Sequence, residues 1–216
     1  GAVSPVLFCP GCCTGRGRRE GSGHLCTLGN ILKAVNKTPA NTVFVFPNNK
    51  NIIHAAKQAI PLADRRVCVL PTRTIPQGIS ALLAFDPESG VEENLIAMKK
   101  AADNVSTGSL TFAARDSDFE GNKIKEGQIL ALDNGHVSFV DTDLDRAAVK
   151  LAKTLAGARK TAGRELNFVT LIYGEAVSEE QAQAVADGIR AKLGENVDIS
   201  VMAGGQPVYY YFISME

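Results

Sequence analysis

From residue 31 onward the apolar positions recur with helical and strand periods in alternation. ILKAVNK (31–37) places apolar residues three and four apart and predicts the end of a helix. TVFVFP (42–47) is an unbroken β-rich run closed by proline, the pattern of a strand buried on both faces. NKNIIHAAKQAIPLA predicts a helix capped by Asn48 or Asn49. RVCVLP (66–71) repeats the strand pattern, and PQGISALLAFDP follows it. GVEENLIAMKKAADN predicts a further helix, with acidic residues in its first turn and lysines toward its end, both favoured by the helix dipole. Strand, helix, strand, helix at this spacing predicts a βαβ unit and a parallel sheet.

The texture changes near Asn104. GSLTFAARDSDFEGNKIKEGQILALDNGHVSFV holds several short alternating runs separated by glycine turns. DNGH (133–136) is a hairpin signal, because Asn-Gly accepts the positive φ angles of a tight turn. A helix is predicted from about Asp143 to Leu155, then a polar connection AGARKTAGREL. The strand NFVTLIYG leads to a helix with a capping-box start, Ser178 followed by Gln181. VDISVMAGG and VYYYFISM close the chain as strands. The expected class is therefore α/β with two lobes joined near residues 103–107. Residues 30–104 form a parallel α/β lobe, and residues 105–216 an α/β lobe with a mixed or antiparallel sheet.

Residues 1–29 show neither period. FCPGCCTGRGRREGSGHLC holds four of the five cysteines. Cys9, Cys12 and Cys13 with His24 and Cys26 have the ligand chemistry of tetrahedral zinc, but a single residue separates His24 from Cys26, closer than zinc pairs usually stand. GRGRREG fails the dinucleotide fingerprint at Glu20 and lacks the Gly-Lys-Ser/Thr of a Walker loop; a solvated basic turn accounts for it. Gly, Cys and Arg codons also arise when GC-rich Ala, Leu and Val codons are read in a shifted frame. That third reading, a frame artefact joined to a genuine domain, is preferred.

Charge changes the picture by exclusion. Twenty-three basic and 23 acidic residues cancel, so total charge does not point to nucleic acid. No apolar run approaches the ~20 residues of a membrane span, and AVSPVLF has no basic segment before it as a signal peptide would. A cytoplasmic location with reduced thiols is expected. The start at Gly1 reads as a fragment of a longer protein or a trimmed chain.

Candidate chemistry lies where strands end. In an open parallel sheet, ligands bind beyond the carboxyl ends of the strands. That rule gathers Asn48, Asn49, Lys50, Asn51, Thr72, Arg73, Thr74 and Gln77 on one rim, above helix amides able to hold an anion. Gly204, Gly205 and Gln206 make a third polar loop. The plain alternative is helix caps and tight turns. His54 is expected to be packed within its helix, His136 to stand in a hairpin turn, and Cys68 to be an inert buried thiol. Tyr209, Tyr210 and Tyr211 cannot all face one side of a strand.

TVFVFPNNKNIIHAAKQA, VLPTRTIPQGISALLAFDP, VTLIYGEAVSEEQA and GGQPVYYYFISME, in that order, resemble the C-terminal domain of the large subunit of bacterial fatty acid kinase. That family was long filed as DAK2, dihydroxyacetone-kinase-like. The resemblance covers about residues 30–216. It implies a DegV-like fold and a parent protein whose N-terminal kinase domain phosphorylates a fatty acid held by a separate DegV-like carrier, supplying acyl phosphate for phospholipid synthesis. ATP and Mg are then expected only at that kinase domain, which this chain lacks. DegV-like carriers show a Ser-Gly-Thr loop and a His-Thr-Gly-Pro-Gly loop that bind the fatty-acid carboxylate. Here those places hold NNKN and AGGQPVY. The resemblance thus implies a noncatalytic docking or scaffold domain, with the polar rim as its partner- or anion-binding surface and with the DegV-like carrier, the rest of its own polypeptide and a second copy as partners. Family members usually carry a strand and a GGQTMNPS-like loop just before Ile31; EGSGHLCTLGN replaces it, leaving the first strand and one rim loop in question. Two other classes stay open: a lipid-binding module of DegV type, and a zinc-dependent enzyme using Cys9, Cys12, His24 and Cys26.

Overall fold

The computed structural model describes residues 7–8, 28–119 and 122–216. Cys9, Cys12, Cys13, His24 and Cys26 lie outside the described residues, as does the basic turn between them. Chain contacts divide the molecule into two units, Gly1–Val105 and Ser106–Glu216.

The first unit is built on a parallel sheet of β1 (Leu7–Phe8), β2 (Thr42–Phe46) and β3 (Arg66–Val69), in that order. Around it lie α1 (Leu28–Lys37), α2 (Lys50–Ala59), a short 3-10 turn (Ile60–Leu62), α3 (Ile75–Leu83) and α4 (Val91–Asn104). The period of two in β2 explains why all five of its residues are buried. Val43 and Val45, with Val67 of β3, pack on Ile31 and Val35 of α1 and on Ile52 and Ala56 of α2. Phe44 and Phe46, with Cys68, point the other way, onto Ala81 of α3 and Met98 and Ala102 of α4. Each fully buried Val or Phe side chain stabilises by about 1.5–3 kcal/mol relative to exposure, so a strand covered on both faces is the anchor of this unit. Cys68 is buried as expected, and burial pushes its thiol pKa up.

The α3–α4 connection is held by Asn94, which is buried and fully used. Its Oδ1 accepts from the Asp86 N–H at 2.8 Å, and its Nδ2 donates to the carbonyls of Asp86, Ser89 and Gly90. Glu93 accepts from the Gly90 N–H at 2.8 Å and closes the start of α4.

The second unit carries β4 (Ser106–Phe112), β5 (Ser117–Phe119), β6 (Asn122–Ile124), β7 (Ile129–Asp133), β8 (His136–Asp141), α5 (Leu144–Thr161), β9 (Phe168–Tyr173), α6 (Glu179–Leu193), β10 (Asp198–Ala203) and β11 (Tyr209–Met215). Six strands form a mixed sheet ordered β10-β9-β11-β4-β7-β8, in which only β10 and β9 run parallel. β5 and β6 make a separate hairpin. Leu151 and Leu155 of α5 and Val185 and Ile189 of α6 cover one face, against Leu110, Leu171, Tyr211 and Ile213. Gly108 sets how close α5 lies: a Cβ there would stand 2.8 Å from δ-carbons of both Leu151 and Leu155. Asn134 (φ 47°) and Gly135 (φ 84°) make the β7–β8 turn as the Asn-Gly signal requires.

The two-lobed α/β class is the one expected; three local expectations are corrected. The α5 helix runs on to Thr161 and absorbs most of the segment read as a connection. Arg159 is the reason: it is buried, and its guanidinium donates to the Glu165 carbonyl at 2.7 Å and the Met215 carbonyl at 3.0 Å. A residue read as solvated polar therefore fixes the end of the helix. His54 is exposed and lies 3.1 Å from Gln58 one turn on, so it is not packed within its helix. The Ser178 box is half formed. Ser178 Oγ accepts from the Gln181 N–H at 3.2 Å, but the Gln181 side chain donates to Asp145 of α5 at 2.8 Å instead of returning to its own cap.

Candidate functional site

The two loops of the first unit meet. Asn48 follows β2 with a left-handed backbone, φ 53°, and its N–H donates to Thr72 Oγ1 at 3.2 Å. Asparagine tolerates that conformation better than most residues. The left-handed bend turns the chain so that Asn49 caps α2, its Oδ1 accepting from the Asn51 N–H at 2.9 Å. In the second loop, Thr74 caps α3 by accepting from the Gln77 N–H at 3.4 Å, and Gln77 Oε1 accepts from the Arg73 N–H at 2.8 Å.

The polar groups of this rim therefore divide into two kinds. Thr72, Thr74, Asn49 and Gln77 are spent on backbone partners within the loops. Lys50, Asn51 and Arg73 are exposed. Lys50 and Arg73 make no ion pair among the described residues, and neither α2 nor α3 has an acidic residue in its first turn. Two helix N-termini and two free cations make the rim electropositive, suited to a negatively charged group.

Asn48 is different from its neighbours. It is 8% exposed, and neither its Oδ1 nor its Nδ2 has a hydrogen-bond partner. Its carboxamide lies over Gly78 in the first turn of α3, where a Cβ would come within 2.7 Å of Nδ2 and 2.8 Å of Cγ. Gly78 is thus part of the rim, though only the spatial meeting of the two loops shows it.

The third loop belongs to the second unit. Gln206 is buried, and its Nε2 donates to the Ile172 carbonyl at 3.2 Å. Gly204 leaves room for that side chain, and Gly205 takes φ 63°. Gly174 faces the Gln206 carbonyl so closely that a Cβ would stand 2.6 Å from it. The paired glycines thus serve an inward-folded glutamine. Among the described residues no cluster of three His, Cys, Asp or Glu is placed to hold a metal, and no helix is long and apolar enough to cross a membrane.

Comparison with known proteins adds family and fold. The family model for the FakA-like C-terminal domain of fatty acid kinase matches residues 20–216. Protein YloV of Bacillus subtilis is 37% identical over 188 residues, a match covering 87% of this chain and 32% of that protein. The chain spans about a third of the length of the curated relatives it matches. A DegV family protein from Ruminococcus gnavus, whose structure is described with vaccenic acid, superposes with a TM-score of 0.59 at 13% identity, covering 88% of this chain and 77% of that one. The dihydroxyacetone kinase of C. freundii, solved with AMP-PNP and Mg2+, superposes with a TM-score of 0.55 at 13% identity over 88% of this chain and 41% of that one. At such identities the likeness to the two structures shows a shared fold alone.

Proposed function

The chain belongs to the FakA-like C-terminal family of fatty acid kinase, and from that premise we propose that it is a noncatalytic docking domain. In this reading the parent protein is a cytoplasmic kinase that transfers phosphate from ATP, with Mg, to a fatty acid presented by a DegV-like carrier. This domain holds the carrier while the kinase domain acts. The observation that carries the reading is the state of the rim. Its hydroxyls at Thr72 and Thr74 are bonded to the loops' own backbone, whereas Lys50 and Arg73 stand outward above two helix N-termini. Such a surface suits acidic side chains of a protein better than a lipid carboxylate, which needs inward-facing donors in a desolvated pocket.

Binding of the purified chain to a DegV-like carrier tests this. Micromolar affinity is expected, weakened by salt and by Lys50→Glu with Arg73→Glu. No binding at micromolar concentrations overturns it.

A second reading, a fatty-acid-binding module of DegV type, is favoured by one observation: the buried, unpartnered carboxamide of Asn48 at the start of α3. Native mass spectrometry separates the two readings. A co-purifying acyl chain, lost in Asn48→Ala, supports the lipid module and counts against pure docking.

A further inference from the structure

The outer surface of the second unit carries a feature that the rim does not share. α5 presents Arg146, Val149, Lys150 and Lys153 at spacings of three and four, a single stripe of a helix. α6 presents Ala184, Gly188 and Lys192, one turn apart each. The stripes close on each other at Gly188, where a Cβ would stand 3.0 Å from Val149 Cγ2. Between them runs a groove of about 490 Å³ with Val149, Ala184 and Val185 as its apolar floor.

The charges around that floor are unbalanced. Arg146 is paired with Asp141, and Asp145 accepts from Gln181. Lys150 rests over the Phe139 ring, its Nζ 4.1 Å from the centroid, and keeps its charge. Lys153 and Lys192 line the groove and make no ion pair among the described residues. Three uncompensated cations thus border an apolar trough between two helices.

We propose that this groove seats an acidic amphipathic helix of a partner protein. An apolar stripe of that helix fills the floor, and its flanking carboxylates meet Lys150, Lys153 and Lys192. Helix-in-groove recognition reads anchors at one-turn spacing, which is the spacing of Ala184, Gly188 and Lys192 here. A membrane surface fits less well. Interfacial helices bury protruding large apolar residues, and none of the large apolar side chains exposed among the described residues lies on α5 or α6. The inference does not depend on the identity of the carrier proposed above.

The test uses the 216-residue chain with methyl-labelled alanine and valine, and a synthetic amphipathic peptide of leucine and glutamate as probe. The methyl signals of Val149, Ala184 and Val185 should shift saturably. Lys153→Glu with Lys192→Glu should weaken binding about tenfold or more, as should high salt. Ala184→Glu, at an exposed position, should abolish it, and a leucine–lysine peptide should leave the signals unmoved. Methyls silent toward the acidic peptide, unchanged affinity in the Lys→Glu variant, or shifts caused by phosphatidylglycerol vesicles and not by the peptide would each overturn the proposal.

Discussion

Replacing Gly78 by alanine should destabilise the chain, against the ordinary expectation for a helix interior. Alanine normally gains about 1 kcal/mol over glycine there. At this position the added methyl meets a buried carboxamide, 2.7 Å from Asn48 Nδ2 and 2.8 Å from its Cγ. Overpacking of that kind costs about 1–3 kcal/mol, so the net effect is a loss of up to about 2 kcal/mol. Removing the obstacle should reverse the sign. In an Asn48→Gly background the side chain is gone, φ 53° suits glycine, and the backbone N–H still donates to Thr72. Gly78→Ala should then stabilise by about 1 kcal/mol. Urea denaturation of the two single variants and the double variant measures the coupling, expected at about 1–3 kcal/mol with unchanged slopes. Additivity within about 0.5 kcal/mol would refute the reasoning, because it would mean that Asn48 swings away freely and does not occupy the first turn of α3.

Three further outcomes are expected. Tyr211 is fully buried, its hydroxyl has no partner, and burial pushes its pKa well above the usual phenol range; Tyr211→Phe should leave thermal stability unchanged or raise it by up to about 2 kcal/mol, and a clear loss would reveal a partner for the hydroxyl. Arg159→Met should cost about 3 kcal/mol or more in denaturant titration, since it leaves the buried carbonyls of Glu165 and Met215 without donors; a near-neutral result would mean that water replaces the guanidinium. The Arg146 guanidinium, aided by the N–H groups of Asp143 and Thr142, holds the Asp141 carboxyl down at about 2. Its folded pKa lies below the ordinary value of about 4, so its contribution is present above about pH 4 and disappears as pH falls toward 2. The melting temperature of Asp141→Asn should accordingly depend less on pH across that window.

Much of the fold was legible in the chain because burial imposes a period. TVFVF alternates between two cores, and a strand covered on both faces has no polar position to show; the unbroken apolar run is its signature. The Asn-Gly turn and the caps at Thr74 and Ser178 were equally legible, because each depends on residues two to four apart. The rim loops were located by a rule of parallel sheets, and the Asn48–Thr72 bond joins two of them. The stripe of Arg146, Val149, Lys150 and Lys153 had the right spacing to be seen but no meaning without the helix beside it.

Only the tertiary structure decided what depends on distant residues. Gly78 matters through a side chain thirty positions earlier. Gln206, which reads as a rim group, turns inward because a carbonyl of β9 accepts its amide. Arg159 reads as part of a polar linker and is instead a buried clamp, because carbonyls from two other segments converge on it. Local sequence determines which backbone conformations are cheap and which faces must be buried. It does not determine which polar groups find each other once those faces close, and in this protein that pairing separates loop groups already committed to the fold from those left for a partner.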